Sequence, residues 1–568
     1  MNADTCWDWI RLVPMLSMTK IFGFAEFLAA LALLAVLYTV TDIRYKFRVA
    51  VAPGFMYPLT FGLIAFIGVA TLLTEVWSSQ HWPVFDTPWF NSALWQAMLG
   101  LLFLGTFLTW TYYAYIRPPV FGYRNARRFT GEMVRLAFRG NEDEIKVVMS
   151  EVGYSSKQLV KHWGLANKWM KGDIQKKPPP KTAEYAQEIF LVLSDRHICK
   201  IIVKSTPITA LQLFREMAES DTDKDFPMSA FSRNITMEAV AQKDSFLYVE
   251  VEGYQSGFFG YVKPVSQTIY GNYELVAGIQ QGGGLGAFDV EYDDYTSWDG
   301  QQWSAYLRAV LITMKAYLAT GRTNDQSIVL SQAFHQVNSA CIGLDKLSGI
   351  ENAYETKAHD AFNAKCDFAT KAIELVNKAK IFPYVHRMRR EEGHRNIHDQ
   401  LAELVYQLCI DSTYVKGPFM SSWVFQHNMA WGAMHGFNDG KAWTVVRRKT
   451  RRLLYEQIEK LIEFPNYVSI RAPAFCLNVF GLAPLDRKGK HHRQGYALSC
   501  KAQAWAREYY LTVVRDYPEM AEVMLTGSIS FDKENSRLVQ TNYYGMSKKP
   551  TYKYLELLPP ETDEPQPN

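Results

Sequence analysis

The densest chemical capacity in this sequence is a run of five cations in six positions, Arg447-Arg448-Lys449-Thr450-Arg451-Arg452. The run opens a helical pattern that continues Leu453-Leu454-Tyr455-Glu456-Gln457-Ile458, so its side chains sweep around most of the helix and cannot all be buried. Side chains of this kind at this density grip phosphates or the carboxylates of an acidic peptide. A helix N-terminus already carries partial positive charge, so cations gathered there are mildly unfavourable until an anion arrives. No stacking aromatics are interleaved among the five, and the chain's net charge is only +4. Both features favour an acidic protein segment over nucleic acid as the partner. The bland alternative is a solvated helix face balanced by Glu456 and Glu459.

Other candidates are weaker. Asp289, Glu291, Asp293, Asp294 and Trp298 form an acidic-aromatic stretch with no Lys or Arg between Pro264 and Leu307. It could hold a cation or a basic segment, yet it lacks the spacing of a calcium loop. The glycines of Gln281-Gly282-Gly283-Gly284-Leu285-Gly286 could cradle phosphate only at a helix start, and the acids that follow would repel it. Gly436 to Lys441 has three residues between its glycines where a phosphate-binding loop needs four, and Ala442 offers no hydroxyl to magnesium. His394 and His398 are four apart and could share a helix face as metal ligands, but no glutamate stands between them as in a metalloprotease helix. Against that stands a polar helix start above the stripe Ile397, Leu401, Leu404 and Leu408. Cys476 lies in an apolar run and reads as a buried thiol. None of these assembles a catalytic set, and no cofactor is expected.

The elements that must position these residues divide by composition. The first 116 residues contain five Lys or Arg and six Asp or Glu, against 61 and 57 in the whole chain. Residues 21 to 41 carry one charge, Glu26, and residues 49 to 74 and 87 to 116 carry none. Crossing about 30 Å of hydrocarbon takes roughly 20 residues, so three transmembrane spans are expected, at about 21–41, 55–75 and 93–116. Arg44, Lys46 and Arg48 follow the first span, and Arg117, Arg124, Arg127 and Arg128 follow the third, whereas the loop from Val76 to Asn91 has no cation and three tryptophans. Positive charge favours the cytoplasmic side, which places residues 117 to 568 in the cytoplasm and the segment 1–20 outside, in an inner (plasma) membrane if the cell is bacterial. Arg117, Arg124, Arg127 and Arg128 would then meet anionic headgroups.

Beyond the spans, residues 117–181 form a basic, helical juxtamembrane region that ends in Lys176-Lys177-Pro178-Pro179-Pro180-Lys181, a stiff spacer. Residues 182–300 show strand-like patterns at Ile189 to Leu193, Ile198 to Lys204 and Ser245 to Glu252, the first two joined by a hairpin-like Ser194-Asp195-Arg196-His197. Residues 301–556 are mainly helical, closing on a hairpin at Ser528 to Gln540, and 557–568 is an acidic, Pro-rich tail. The expected fold is therefore a multi-domain membrane protein: three N-terminal transmembrane helices, a cytoplasmic α+β region and a mainly helical C-terminal region. The seven cysteines show no paired spacing and read as reduced thiols.

This outline suits a membrane-anchored scaffold or adaptor in a larger assembly of secretion, transfer or defence type, with other protein subunits as partners, one of them acidic, and self-association allowed. A membrane-tethered hydrolase or nuclease, whose histidines and acids meet only in three dimensions, and an oligomeric channel subunit are the competing readings.

Overall fold

The structure, a computed structural model, describes the chain except residues 1–10, 14–20, 41, 54–55, 83, 87–90, 171–179, 221–225, 252, 256–260, 323–325, 340–342, 382–394, 433–439, 464, 485–494, 543–548 and 560–568. Contacts divide it into two units, Met1–Pro227 and Met228–Asn568, a later division than the Pro-rich spacer suggests. The His394 expectation, most of the Gly436 to Lys441 loop and the acidic tail lie outside the described residues.

The first unit opens with β1 (Arg11–Val13), α1 (Phe24–Val40), α2 (Ile43–Ala50), α3 (Met56–Ser79), β2 (Val84–Asp86) and α4 (Ser92–Thr111), the last continuing as a wider turn to Ile116. Among the described residues two helical stretches, Pro58–Ser79 and Ser92–Ile116, are long and apolar enough to cross a bilayer. α1 is apolar but shorter, at 17 residues. Glu26 sits in its first turn and accepts a hydrogen bond from the Gly23 backbone at 2.9 Å, the place where a carboxylate satisfies orphan N–H groups. β1 and β2 pair antiparallel, Leu12 opposite Phe85. The Ile21 backbone N–H also donates to Gln96 at the start of α4, at 2.9 Å.

The rest of this unit is helical: α5 (Ala126–Arg139), α6 (Glu142–Tyr154), α7 (Ser156–Met170), α8 (Lys181–Leu193), α9 (Arg196–Ser205) and α10 (Pro207–Glu219). α8 packs on α5 and α7, so the Pro-rich spacer joins helices of one core. Arg48 of α2, one of the cations that follow the first apolar run, is not solvated. It is buried, bridging Glu151 of α6 through Nε at 3.0 Å and Nη2 at 2.8 Å and donating through Nη1 to the Ala114 carbonyl at 3.1 Å.

The expected strands of the α+β region are helices. Asp195, read as part of a hairpin turn, is the N-cap of α9 and accepts from the His197 and Ile198 N–H groups at 2.9 and 3.2 Å. Ile198, Ile201 and Ile202 recur at helical as well as apolar-run spacing, and their burial on one face decides for helix. Short β-rich runs are ambiguous in this way because propensity yields to packing.

The second unit runs α11 (Phe226–Ala241), α12 (Phe246–Val249), a two-stranded β3 (Tyr254–Gln255) and β4 (Tyr261–Val262), α13 (Pro264–Tyr270), α14 (Tyr273–Gly283), α15 (Tyr292–Ser297) and α16 (Gly300–Ala319). The alternation at Ser245 to Glu252 is a further correction: Val249 and Val251 are exposed, while Glu250 is buried and receives the Val265 and Ser266 N–H groups at the start of α13, at 3.0 and 2.9 Å. α16 starts at a reciprocal Asp299–Gln302 cap and stops before Gly321, whose φ of +74° favours glycine.

Then follow α17 (Ile328–Ser339), α18 (Lys357–Lys378), α19 (Ile397–Ser412), α20 (Phe419–Trp423) with a wide turn from Val424 to Trp431, α21 (Lys441–Glu463), α22 (Arg471–Phe480), α23 (Tyr496–Asp516) and α24 (Pro518–Met524). The break that Pro518 imposes falls where its sequence predicts. α19 is central: it packs on α17, α18, α21 and α22, and Ile397, Leu401, Leu404 and Leu408 are all buried. The chain closes on an antiparallel meander of β5 (Ile529–Asp532), β6 (Arg537–Asn542) and β7 (Thr551–Glu556). Among the described residues of 182–300 the short β3–β4 pair is thus the strand content and the other elements are helices, and the β5–β7 sheet is the one of three strands among the described residues.

Candidate functional site

α21 is amphipathic, and its geometry splits the five cations. Trp443, Val446, Leu454, Ile458 and Leu461 form the buried stripe, and Lys449 falls within it. Its side chain is 0% exposed and pairs with Asp399 of α19, also 0% exposed. Asp399 is held by the α19 cap: its Oδ2 accepts the Asn396 N–H at 3.1 Å, and the Asn396 side chain accepts the His398 and Asp399 N–H groups. Thr450 donates to the Ala402 carbonyl at 3.2 Å, which fixes the same helix pair. Lys449 is therefore a core residue, a correction to the surface role its neighbours suggest.

The other four cations remain on the protein's outside. Arg448 and Arg452, one turn apart, are exposed, and Arg447 and Arg451, also one turn apart, are half-buried on the flank. Arg452 reaches Glu456 Oε1 at 2.6 Å, and the Arg447 guanidinium lies 5.9 Å from the Trp443 ring centre. Burial, reinforced by the positive charges of Arg447 and Arg448, pulls the Arg451 guanidinium down from its usual range to about 10. The patch therefore gathers four guanidinium groups on two successive turns of α21.

The acidic-aromatic stretch comes apart. Trp298 is 5% exposed and stacks edge-on against Trp303, 5.1 Å between ring centres. Asp289 accepts the Gly286 N–H, Glu291 pairs with Arg233, and Asp293 points to solvent, with Asp294 half-exposed beside it. What faces inward is aromatic: Tyr295, Trp298 and Trp303 line a cavity of about 580 Å³ together with Lys346, Lys357 and Lys365. The glycine run ends α14, with Gly284 at φ +74°, so it presents carbonyls rather than the N–H groups a phosphate needs.

His398 is buried in the core, and among the described residues no group of three or more His, Cys, Asp or Glu is placed to hold a metal. Cys476 is buried, and burial pushes its thiol well above the usual range, the opposite of what a nucleophile requires. His427 stacks on Trp423 with 3.7 Å between ring centres and its Nε2 lies 3.2 Å from the Asn478 carbonyl; burial lowers it to about 4. Arg117, Arg124 and Arg127 are exposed and Arg128 is half-buried, immediately after the last apolar helix; Arg124 donates to the Tyr123 hydroxyl at 2.7 Å.

Sequence reasoning missed Asp399 as the partner of Lys449 and Glu151 as the partner of Arg48. A cation at an apolar stripe position was the available signal in the first case. Comparison with known proteins adds nothing to this geometry: no family model, no curated protein and no solved structure matches the chain.

Proposed function

We propose that this protein is a membrane-anchored adaptor, a subunit of a larger assembly that recruits a protein bearing an acidic segment at the cytoplasmic face of the membrane. The observation that carries the reading is the arginine face of α21: Arg447, Arg448, Arg451 and Arg452 on two successive turns, where burial first, and then the charges of Arg447 and Arg448, lower the proton affinity of Arg451. Such mutual repulsion is relieved by a bound carboxylate cluster, and Arg binds carboxylates through two parallel N–H groups. The partner helix face is rigid, because Lys449 and Thr450 tie α21 to α19.

Anchorage by three spans is supported by the β1–β2 pair. β2 follows α3, and β1 precedes α1, yet the two strands are hydrogen-bonded. If α3 crosses the bilayer, the start of α1 lies at the far end of α3 and α2 at the near end, so α1 makes the crossing too. Its 17 residues cover about 25 Å, and residues 21–23 extend it. Arg117, Arg124 and Arg127 then fall on the cytoplasmic side.

The test is fluorescence anisotropy of the full-length protein in detergent with a labelled Glu-rich peptide, a Gln-rich peptide of equal length and a single-stranded oligonucleotide. The Glu-rich peptide should bind best, more weakly in 0.3 M than in 0.05 M salt, and binding should be lost when Arg447, Arg448, Arg451 and Arg452 become Ser with Lys449 kept. Equal binding of the Gln-rich peptide, or undiminished binding by the Ser variant, would refute the arginine face as the partner site.

A further inference from the structure

Within the second unit, α17 and α19 each turn a polar face toward a shared space. Ser331, Phe334, His335 and Asn338 recur at three- and four-residue steps on α17, and Gln400, Glu403 and Gln407 do so on α19. Between them lies a cavity of about 440 Å³, within the range of sites that hold small molecules. Arg395, just ahead of the α19 cap, completes the wall.

The polar atoms around this cavity fall into two sets. One set is satisfied internally: Arg395 Nη1 donates to Glu403 Oε2 at 2.7 Å, Gln407 Nε2 to Asp411 Oδ1 at 2.8 Å, and Gln326 Nε2 to Ser331 Oγ at 3.0 Å. The other set has no partner. Gln400 is 6% exposed, and neither its Nε2 nor its Oε1 makes a hydrogen bond; Asn338 Oδ1 and Arg395 Nε are buried and equally unmatched. Folded proteins seldom leave buried polar groups unmade, and four such atoms on residues lining one cavity point to a ligand or solvent that supplies the missing bonds.

The chemistry of the wall limits what that ligand is. Arg395 and Glu403 cancel each other, and no other Lys, Arg, Asp or Glu lines the cavity, which disfavours a charged guest. The unmatched atoms comprise two acceptors, Gln400 Oε1 and Asn338 Oδ1, and two donors, Gln400 Nε2 and Arg395 Nε. A carboxamide presents its donor and acceptor side by side, which matches another amide edge in a two-point pair. We propose that this cavity binds a small, net-neutral molecule through an amide-type edge paired with Gln400, with Asn338 and Arg395 engaging its remaining polar atoms. A primary carboxamide and the lactam edge of a nucleobase share that chemistry.

The experiment is calorimetric titration of the full-length protein in detergent with L-glutamine and with guanosine, against L-glutamate and guanosine monophosphate as charged counterparts. The expected result is binding of L-glutamine or guanosine and weaker or no binding of its charged counterpart; which of the two binds identifies the source of the edge. Gln400→Leu, similar in size but without the amide, should weaken that binding about ten-fold or more, the loss expected from two hydrogen bonds. Its melting temperature should stay at or above the original, because the substitution removes two unmatched polar atoms. If Gln400→Leu fails to fold, Asn338→Leu is read in the same way. Binding of neither neutral probe, equal binding of the charged ones, or undiminished binding by the folded variant overturns the proposal and leaves a water-filled cavity.

Discussion

Replacing Lys449 by Met keeps an unbranched side chain of similar length and removes the charge, so the carboxylate of Asp399 is left at 0% exposure with only its cap hydrogen bond. Breaking a buried pair by removing one partner costs about 3–5 kcal/mol, because the remaining charge is uncompensated. The unit that contains the pair spans Met228–Asn568, and an unfolding entropy of about 2.1 cal/mol/K per residue makes that roughly 0.7 kcal/mol/K for the unit. The expected fall in melting temperature is therefore about 4–7 °C, read by tryptophan fluorescence in detergent at pH 7. The double variant Asp399→Asn, Lys449→Met should recover most of it, since Asn retains an acceptor for the cap without the charge. A fall below about 1 °C, or a double variant no more stable than Lys449→Met alone, would show that this pair is not the buried, mutually dependent contact described here.

His427 gives a pH prediction whose sign is fixed by its environment. Its folded value near 4 lies below the ordinary 6.5, so its contribution to stability is complete above pH 6.5 and lost as pH falls through 4, up to roughly 3 kcal/mol; His427→Phe should lose less stability over that window in matched pH melts, and equal losses would count against the burial of this ring. For topology, single cysteines at Ser79 and Ser194 in a background from which all seven native cysteines, Cys6 of the expected external segment included, have been removed should differ in intact cells, with an impermeant maleimide labelling the first and not the second; the reverse pattern would overturn the orientation.

Much of the architecture is legible in the residues because it depends on local rules. Runs without charge are long enough to cross hydrocarbon whatever surrounds them, and α3 and α4 occupy two of them. Asn396 before an apolar stripe, Gly321 after one and Pro518 inside one set helix ends through backbone chemistry alone. The β5–β6 hairpin follows in the same way from a short polar turn between alternating residues.

What the sequence left open is what depends on a distant partner. Ile198 to Lys204 suits a strand or a helix equally, and it is the packing of α9 on α6 and α10 that selects the helix. The five cations at 447–452 look equivalent in one dimension. Only the position of α19 makes Lys449 a core residue, because a buried charge is tolerated solely where an opposite one, fifty residues away in the chain, is brought to meet it. Arg48 and Glu151 are joined by the same logic, as are the unmatched amides of the α17–α19 cavity: their meaning lies in which atoms face them, and periodicity specifies faces without specifying what they face.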